Sequence, residues 1–389
     1  MMPVSNWYVS PAHLHDMEPF YPLHARVCGK CFLVQVPEVV SPEKLFREYA
    51  YFSSYSSSWV AHARTYCHAM VERFGLGNSS LVVEIASNDG YLLQHFVERH
   101  IPVLGIEPAA NVAKVAEAAG IPTLARFFGT PLAQELRAAG KTADLIVGNN
   151  VLAHVPHIND FVEGLRVLLK ARGVITMEFP HLFKLIEHNE FDTIYHEHFS
   201  YLSFFTVKKI FAAHGLTVFD VEELPTHGGS LRIFACHAEN QNFPIISRAS
   251  ELERREIVLG VTDIETYLKF SEQVKETKRK LLSLLISLKQ EGKTIVGYGA
   301  PAKGNTLLNY CGIRTDFLDY TVDRNPHKQN RFLPGTRIPI YGPERITETR
   351  PDYVLILPWN LTEEIVAQMA HIRSWGGQFI VPIPEPRIL

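Results

Sequence analysis

The chain has 389 residues, of which 46% are hydrophobic and 20% are charged, and its formal net charge is -3. This length and apolar content suffice for two or three domains with cores of their own. The charge balance lacks the basic excess that favours nucleic acid, and five cysteines are too few for a disulfide framework. No signal-peptide pattern opens the sequence, and the apolar run Leu281–Leu288 is too short to cross a bilayer, so we expect a cytosolic protein.

The order of predicted elements divides the chain into four parts. A small irregular module, residues 1–48, contains the cysteine pair of VCGKC. In residues 49–247, an aromatic link and a helix ending at Gly75 or Gly77 lead into alternating strands and helices. Residues 248–290 carry only helical signals and form a connector, and residues 291–389 begin a second strand–turn–helix unit. The alternation predicts an α/β fold with a parallel sheet covered on both faces.

Within the central part, four strands and three helices are predicted from Leu81 onward. The strands are LVVEIA, PVLGIEP, DLIVGNN and VITMEFP. The helices between them are YLLQHFVERH, then NVAKVAEAAG closed by Gly120, and FVEGLRVLLKARG closed by Gly173. No repeat with a period of 20–50 residues is present.

The turn after the first strand, EIASNDGYLL, lies where ligands bind to a doubly wound sheet. Ala86, Asn88 and Gly90 occupy the positions of the three glycines in a dinucleotide turn, so the match to NAD is weak. Glu84 ends the first strand and suits a cation, whereas Glu107 ends the second and suits two ribose hydroxyls. S-adenosylmethionine carries both kinds of group. The predicted cofactor residues are Glu84, Ala86, Asn88, Gly90, Tyr91, Glu107, Pro108, Asn149 and Asn150. The plainer alternative is a strand end and a simple turn.

A family resemblance rests on eight stretches that run in order over nearly the whole chain. They are YPLHARVCGKCFLVQVPE, YFSSYSSSW, EIASNDGYLLQ, GIEPAANVA, NVLAHVP, FDTIYHEHFSYLS, HGGSLRIF and GYGAPAKGNTLLN. The chain resembles the sugar C-methyltransferases, which use S-adenosylmethionine to methylate carbon in nucleotide-linked 4-ketosugars. The resemblance implies an N-terminal zinc module, a central class I, Rossmann-like methyltransferase domain and a Rossmann-like C-terminal domain that helps to hold the nucleotide sugar.

The motif IYHEHFSYLS supplies candidates for proton transfer. If the segment is extended, His196 and His198 share one face, and Tyr195 and Glu197 share the other. Methylation at carbon needs a base that removes the proton next to a ketone, and neutral His suits that task. The resemblance places the base at His198 and gives Glu197 the orientation of the sugar; Tyr195, His154 and Tyr49 or Tyr51 would complete the pocket. Two alternatives are a zinc or iron site that includes Glu178 and His181, and a solvated turn.

The N-terminal cysteines, Cys28 and Cys31, form half of a four-ligand zinc site. Related enzymes carry another Cys pair upstream, which is absent from this sequence. His13, His15 or His24 could replace it.

The turn GYGAPAKGNTLLN resembles a dinucleotide turn, with Gly297, Gly299 and Gly304. Lys303 could meet a phosphate at the start of the next helix. By resemblance, this unit faces the sugar nucleotide and holds no redox cofactor; a scaffold without a ligand is the alternative. In HGGSLRIF, Ser230 and Arg232 either touch substrate or belong to a plain hairpin strand. The expected substrate residues are Tyr49, His181, His227, Lys303, Asn305, Asp323 and Lys328.

Together these features predict an enzyme that uses S-adenosylmethionine, and zinc in its N-terminal module if the site is completed. By resemblance, its substrate is a dTDP-, GDP- or CDP-linked 4-keto-deoxysugar, methylated at carbon 3 after His-catalysed enolisation and in-line transfer. We expect no nucleic acid or membrane partner and a monomer or weak dimer. The rival predictions are an NAD-dependent nucleotide-sugar oxidoreductase or epimerase, and a nucleotide-sugar binding protein without catalysis.

Overall fold

The computed structural model describes residues 1–46 and 52–389, apart from the side chain of His227. Within these residues the strands form three sheets, of 3, 7 and 6 strands. None of the helices in the described ranges combines the length and the apolar character that crossing a bilayer requires.

The strands are short in the first and third sheets and longer in the second. In chain order they are β1 (Arg26–Val27), β2 (Val34–Gln35), β3 (Val82–Ile85), β4 (Val103–Ile106), β5 (Thr123–Leu124), β6 (Ala143–Asn149), β7 (Leu169–Pro180), β8 (Ser200–Tyr201), β9 (Leu216–Leu224), β10 (Ser230–His237), β11 (Ile295–Tyr298), β12 (Thr321–Val322), β13 (Ile340–Tyr341), β14 (Tyr353–Ile356), β15 (Gln378–Val381) and β16 (Arg387–Ile388).

The α-helices alternate with these strands through most of the chain. They are α1 (Pro42–Phe46), α2 (Ser57–Phe74), α3 (Leu93–Val97), α4 (Ala110–Ala118), α5 (Thr130–Ala138), α6 (Ile158–Leu168), α7 (Leu182–Glu187), α8 (Phe204–Ala213), α9 (Ser247–Val258), α10 (Ile264–Gln290), α11 (Ala302–Cys311), α12 (Glu344–Thr349) and α13 (Thr362–Gln368). Short 3-10 helices include Ser53–Tyr55, Leu152–His154 and Phe191–Thr193.

The central sheet has the order β5-β4-β3-β6-β7-β10-β9. Its strands are parallel except β10, which is antiparallel to both neighbours. β3 and β4 are buried along their whole length, as expected for strands covered by helices on both faces. The order reverses between β3 and β6, and the crevice at the carboxyl ends of these strands is where a doubly wound sheet binds its ligand.

The C-terminal sheet has the order β13-β12-β11-β14-β15-β16, parallel except for β16. The apolar run that was too short for a membrane lies in α10, where Leu281, Leu285 and Leu288 are buried in the core of this domain. The second α/β unit that the sequence predicts is therefore present.

The first sheet joins the N-terminal module to the central part of the chain. β2 pairs with β1 and with β8, and Val34 lies opposite Tyr201. β8 begins two residues after His198, so the module is hydrogen-bonded directly beside the IYHEHFSYLS motif. The sequence gives no sign of this pairing.

Two helix predictions differ from the structure. α6 ends at Leu168 rather than at Gly173, because Leu169 is already extended and β7 begins there. A Cβ at Gly173 would lie 2.8 Å from the carbonyl oxygen of Ala143, so this glycine serves strand packing rather than helix closure. The helix after the first turn is also shorter than predicted and covers Leu93–Val97 only.

Candidate active site

The turn that follows β3 takes backbone angles that favour glycine. The φ angles of Ala86, Asn88 and Gly90 are 58°, 50° and 81°. A Cβ at Gly90 would lie 2.2 Å from Cδ1 of Ile121, so packing against this buried side chain also favours glycine there. Two of the three positions thus keep the glycine-like conformation without glycine, which accounts for the weak match to a dinucleotide turn.

Glu84, on β3, is the electrostatic centre of this turn. Glu84 is 1% exposed, and neither of its carboxyl oxygens has a hydrogen-bond partner among the described residues. Burial, with the nearby Glu107 and Asp89, raises the pKa of Glu84 well above its usual value. A buried carboxyl without a partner is costly unless a cation joins it. Glu84 therefore suits the amino group of S-adenosylmethionine.

Glu107 supports the turn from the end of β4. Its Oε2 accepts from the backbone N–H of Asn88 at 3.0 Å, and its Oε1 accepts from that of Ala109 at 2.8 Å. Burial raises the pKa of Glu107, although these two hydrogen bonds oppose the rise. Each oxygen retains a second lone pair, so contact with ribose remains a prediction. Pro108 follows as a half-buried residue.

An aromatic wall beside the turn was missed by the sequence reasoning. Trp59, in α2, stacks on His62 at 4.9 Å and on Tyr91 at 6.2 Å between ring centroids. His62 Nε2 lies 3.0 Å from Oε2 of Glu178, which also accepts from Arg232 at 2.7 Å. Burial alone would raise the pKa of Glu178, but His62 and Arg232 lower it. The one available signal was the Trp in YFSSYSSSW, interpreted only as a link.

Asn149 and Asn150 close the same crevice from the end of β6. Asn149 lies opposite Glu178 in the sheet, and its buried side-chain amide lies close to the Tyr91 phenol. Asn150 has a φ of 55° and donates its N–H to the carbonyl of Glu178 at 2.7 Å. The crevice thus contains a buried amide and the buried Glu84 carboxyl, which both suit a polar ligand such as S-adenosylmethionine.

The IYHEHFSYLS motif forms a turn, so the face-sharing expected of an extended segment is wrong. The N–H of His198 donates to the carbonyl of Tyr195, and this reversal brings the Tyr195 hydroxyl to 3.0 Å from Nε2 of His198. Nδ1 of His198 lies 3.0 Å from the carbonyl of Thr193. His196 points the other way, with Nε2 3.2 Å from the carbonyl of Pro22 in the N-terminal module.

His154 packs against the His198 ring and contacts the backbone of Glu197. The rings of His154 and His198 are 4.7 Å apart, and His154 Nδ1 lies 2.8 Å from the backbone carbonyl of Glu197. Burial lowers the pKa of His154 to about 4, so the ring is neutral near pH 7. Burial raises the pKa of the Glu197 carboxyl to about 7, against a hydrogen bond from Asn6. His154 lies on the loop that follows Asn149. This loop connects the predicted cofactor residues with the residues around His198.

Other predicted residues lie elsewhere or outside the description. Nε2 of His181 is 2.6 Å from Oε1 of Glu256, and both side chains are buried. Tyr49 and Tyr51 lie outside the described residues, as does the His227 side chain.

Across the described ranges, no group of three or more His, Cys, Asp or Glu could hold a metal, which argues against the His–Glu metal alternative. Arg232 and Ser230 form part of β10, opposite Glu178 and Pro180.

The glycines of the C-terminal turn serve packing within the protein. A Cβ at Gly297, Gly299 or Gly304 would lie 2.6, 2.5 or 2.9 Å from the nearest atom of Thr321, Pro358 or Leu357. Gly299 also has a φ of 91°. These contacts account for the glycine pattern without a dinucleotide.

Asp323 and Lys328 fix the backbone of this turn. Asp323 Oδ2 accepts from the N–H of Ala300 at 2.8 Å, and Lys328 Nζ donates to the Ala300 carbonyl at 2.9 Å. Asn305 is 1% exposed and donates to the carbonyl of Ser5 at 2.6 Å. These three predicted residues therefore lie where the N-terminal module meets the C-terminal domain.

Lys303 lies at the boundary between the central and C-terminal domains. Its Nζ donates to Asn360 at 2.8 Å and lies 4.3 Å above the Trp359 ring. Trp359 donates in turn to Asp192 at 2.8 Å. Burial lowers the pKa of Lys303, whereas Asp192 and Glu190 oppose that change.

The cysteine pair has the local geometry of half a metal site. Hydrogen bonds from the Cys31 and Lys30 backbone lower the pKa of Cys28 to about 7, which favours the thiolate that metals bind. A closed zinc site needs four ligands, and within the described residues no third His, Cys, Asp or Glu joins the pair. The residues in hand do not complete a zinc site.

The central sheet order and the glycine-like turn after β3 are those of a Rossmann-like fold, and the family match identifies a methyltransferase that uses S-adenosylmethionine. Residues 59–221 match the family described as "Methyltransferase domain", residues 225–384 "C-methyltransferase C-terminal domain", and residues 1–46 "Putative zinc binding domain". The chain is 37% identical to C-methyltransferase NovU of Streptomyces niveus over 374 residues, which cover 96% of this chain and 88% of that protein. The chain belongs to the C-methyltransferase family, and its substrate is a small molecule.

Solved structures show more distant likenesses. The PH0226 protein of Pyrococcus horikoshii OT3 is 14% identical with a TM-score of 0.40, covering 50% of this chain and 97% of that one. Magnesium protoporphyrin IX methyltransferase of Synechocystis PCC 6803 with bound SAH is 14% identical with a TM-score of 0.37, covering 46% and 83%. Likenesses at this level do not bear on substrate or mechanism.

Proposed function

We propose that this C-methyltransferase acts on a nucleotide-linked 4-ketosugar and methylates the carbon next to the ketone, at carbon 3. The observation that carries the proposal is the state of the His198 ring. Nδ1 faces the Thr193 carbonyl and carries the hydrogen, so Nε2 carries the lone pair of a base. His198 is 8% exposed, and the neighbours of its ring include the neutral His154 and the Tyr195 phenol. C-methylation of a ketosugar requires such a base.

S-adenosylmethionine, when bound, supplies an electrophilic methyl group. Glu84, Asn149 and the turn at Ala86–Gly90 would hold it, because they offer a buried carboxyl, a buried amide donor and exposed backbone. This assignment is part of the proposal.

Proton removal by His198 requires a change in the hydrogen bonding of Tyr195. In the free protein the Tyr195 hydroxyl lies 3.0 Å from Nε2 and donates to it. Nε2 has a single lone pair, so the phenol must turn away from it before Nε2 can accept the substrate proton. The phenol would then donate to the ketone oxygen, where the charge of the enolate develops as the proton leaves. One proton moves from the sugar carbon to Nε2, and the electron pair of the C–H bond enters the enolate.

The nucleotide would lie against the C-terminal domain. Lys303 and Lys328 are the basic groups of the predicted substrate set, and a diphosphate carries the charge that they match. Glu197 would accept from a sugar hydroxyl, since its carboxyl lies beside the catalytic turn with one described side-chain donor, Asn6.

Product masses test this function directly. The protein is incubated with S-adenosylmethionine bearing a deuterated methyl group and with dTDP-, GDP- and CDP-linked 4-ketosugars. The matching 4-hydroxy sugars serve as controls. We expect one labelled methyl group on a ketosugar and none on the hydroxy sugars, because only the ketone acidifies the neighbouring C–H bond. Methylation of both, or of neither while S-adenosylmethionine binds, would exclude the proposed substrate class.

A further inference from the structure

Four residues near the N-terminus lie between the catalytic turn and the C-terminal domain. We call Ser5–Tyr8 the N-terminal bracket. Its Ser5 carbonyl accepts from Asn305 at 2.6 Å, and the Tyr8 hydroxyl donates to the Ala300 carbonyl at 2.6 Å. Between these two contacts, Asn6 Nδ2 donates to Oε1 of Glu197 at 2.7 Å. The bracket therefore fixes its own position on the C-terminal domain and presents one amide to the catalytic turn.

The Glu197 carboxyl depends strongly on that amide. The residue is 3% exposed, and among the described residues Asn6 is the side chain that donates to the carboxyl. A buried carboxylate without donors would be destabilised by the loss of water. The Asn6 hydrogen bond is charge-assisted when Glu197 is ionised, and such bonds are stronger than neutral ones.

The other charged or titratable groups around Glu197 come from several elements. Its own turn contributes Tyr195, His196 and His198, and the β6 loop contributes His154, which binds the Glu197 carbonyl. The bracket contributes Tyr8, whose pKa the Glu197 charge helps to raise, beyond the larger effect of burial. Lys328 lies behind Tyr8 and acts on that phenol in the opposite direction.

We propose that Asn6 is a positioning residue for methyl transfer, acting through Glu197 from the N-terminal module. It holds the carboxyl in one orientation within the catalytic turn and favours its ionised form, ready to accept from the substrate. The catalytic part of this inference rests on the proposed role of Glu197 toward the sugar. The hydrogen bond between Asn6 and Glu197 is independent of that proposed role.

A measurement without substrate tests whether Asn6 stabilises the ionised form of Glu197. The carboxyl C=O stretch of Glu197 is followed by infrared difference spectroscopy against pH, with Glu197→Gln to assign the band. In Asn6→Ala the midpoint should rise by about one pH unit, because a donor that stabilises the carboxylate has been removed. Asn6→Asp keeps the size of the side chain and adds a negative charge beside Glu197, so it should also raise the midpoint. This variant replaces Asn6→Ala in the test if Asn6→Ala does not fold.

Glu18→Gln is the matched control. Glu18 also links the N-terminal module to the C-terminal domain, through the Gly335 N–H at 2.9 Å and Arg337 at 3.3 Å, without contacting Glu197. Its infrared midpoint should equal that of the unmodified protein. An unchanged midpoint in Asn6→Ala, or an equal rise in Glu18→Gln, would overturn the assignment.

A double-mutant cycle with a ketosugar substrate tests whether Asn6 acts on methyl transfer through Glu197. We expect Asn6→Ala to lower the methyl-transfer rate about 10-fold in the unmodified protein and to have almost no effect in Glu197→Gln. Equal losses in both backgrounds would show that Asn6 acts elsewhere and would overturn its positioning role. If no ketosugar is methylated, the proposed function has failed, and the infrared result still decides whether Asn6 controls Glu197.

Discussion

At the residue scale, Glu84 lowers the stability of the free protein, and we expect it to stabilise the complex with a cation. Its carboxyl is buried beside Glu107 and Asp89 without a hydrogen-bond partner in the part of the chain that the structure describes, and its pKa is raised well above the usual value. A bound cation would favour the ionised form, so binding near neutral pH should release a proton. The same side chain thus destabilises the free fold and stabilises the complex.

Glu84→Gln should therefore separate folding from binding. We expect the free variant to be at least as stable as the parent, because a buried acid has been replaced by a neutral amide. Binding of S-adenosylmethionine should weaken by about 10-fold or more, since the ion pair is lost. Calorimetry in buffers of different ionisation enthalpy measures both the affinity and the proton release. Glu98→Gln, at a side chain 61% exposed, is the control. Unchanged affinity and proton release in Glu84→Gln would rule out its contact with the cation.

Residue types in the sequence predict candidate groups but not their distant partners. Glu84 and Glu107 are predicted from their places at strand ends, and His198 is predicted from the family resemblance. Asn6 lies 191 positions from Glu197, and His62 lies 116 from Glu178. These long-range contacts depend on how the domains pack, and a local sequence pattern carries no information about that packing. The Trp59 wall was missed for the same reason.

At the scale of elements, the turn after β3 depends on the packing of its neighbours. Gly90 has a φ of 81°, and Cδ1 of Ile121 occupies the space that a side chain would need. The turn that presents Glu84 and Asn88 is therefore held in place by the segment between α4 and β5.

Gly90→Ala tests that dependence. We expect a loss of about 2–4 kcal/mol in the free energy of unfolding, from backbone strain and overpacking together. Gly140→Ala is matched in backbone angle, with a φ of 74°, but no atom lies within 4 Å of its added Cβ. It should lose only about 1 kcal/mol. Denaturant unfolding measures both variants, and equal losses would mean that the Ile121 contact has no cost.

Element predictions succeeded where the apolar pattern was long and failed where local and tertiary preferences competed. The alternating strands and helices, the long α10 and the second α/β unit follow from periodicity alone. The motif around His198 has no such period, and the hydrogen bond from its N–H to Tyr195 turns it back on itself. Gly173 resembles a helix stop, yet contacts with Ala143 place it in β7.

At the scale of the molecule, buried acids lie at the boundary between the two α/β domains. Asp192 is fully buried and accepts from Trp359, and burial raises its pKa to about 7 despite Lys303 and Trp359. Glu190 lies nearby, and burial raises its pKa to about 8. A raised folded pKa means that the folded state holds the proton more tightly than the unfolded state.

The free energy of unfolding should therefore contain a contribution from Asp192 that is lost as pH rises. The contribution is complete below the usual value of 3.8 and disappears as pH passes through about 7. Relative to Asp192→Asn, the parent should lose stability on the order of a few kcal/mol across this range. Asp352→Asn is the control of opposite sign, because hydrogen bonds from Thr294 lower the pKa of Asp352. Denaturant unfolding at several pH values measures these differences, and parallel curves for the parent and Asp192→Asn would contradict the assignment.

Proton removal by His198 is the central step of the proposed reaction, and solvent exchange measures that step alone. A nucleotide 4-ketosugar is incubated in deuterium oxide with the protein and S-adenosylhomocysteine, and deuterium at the carbon next to the ketone is followed by mass spectrometry. His198→Ala should slow this exchange by about 100- to 10,000-fold while still binding S-adenosylhomocysteine, and His196→Ala should exchange normally. Exchange at the parent rate in His198→Ala would contradict the account.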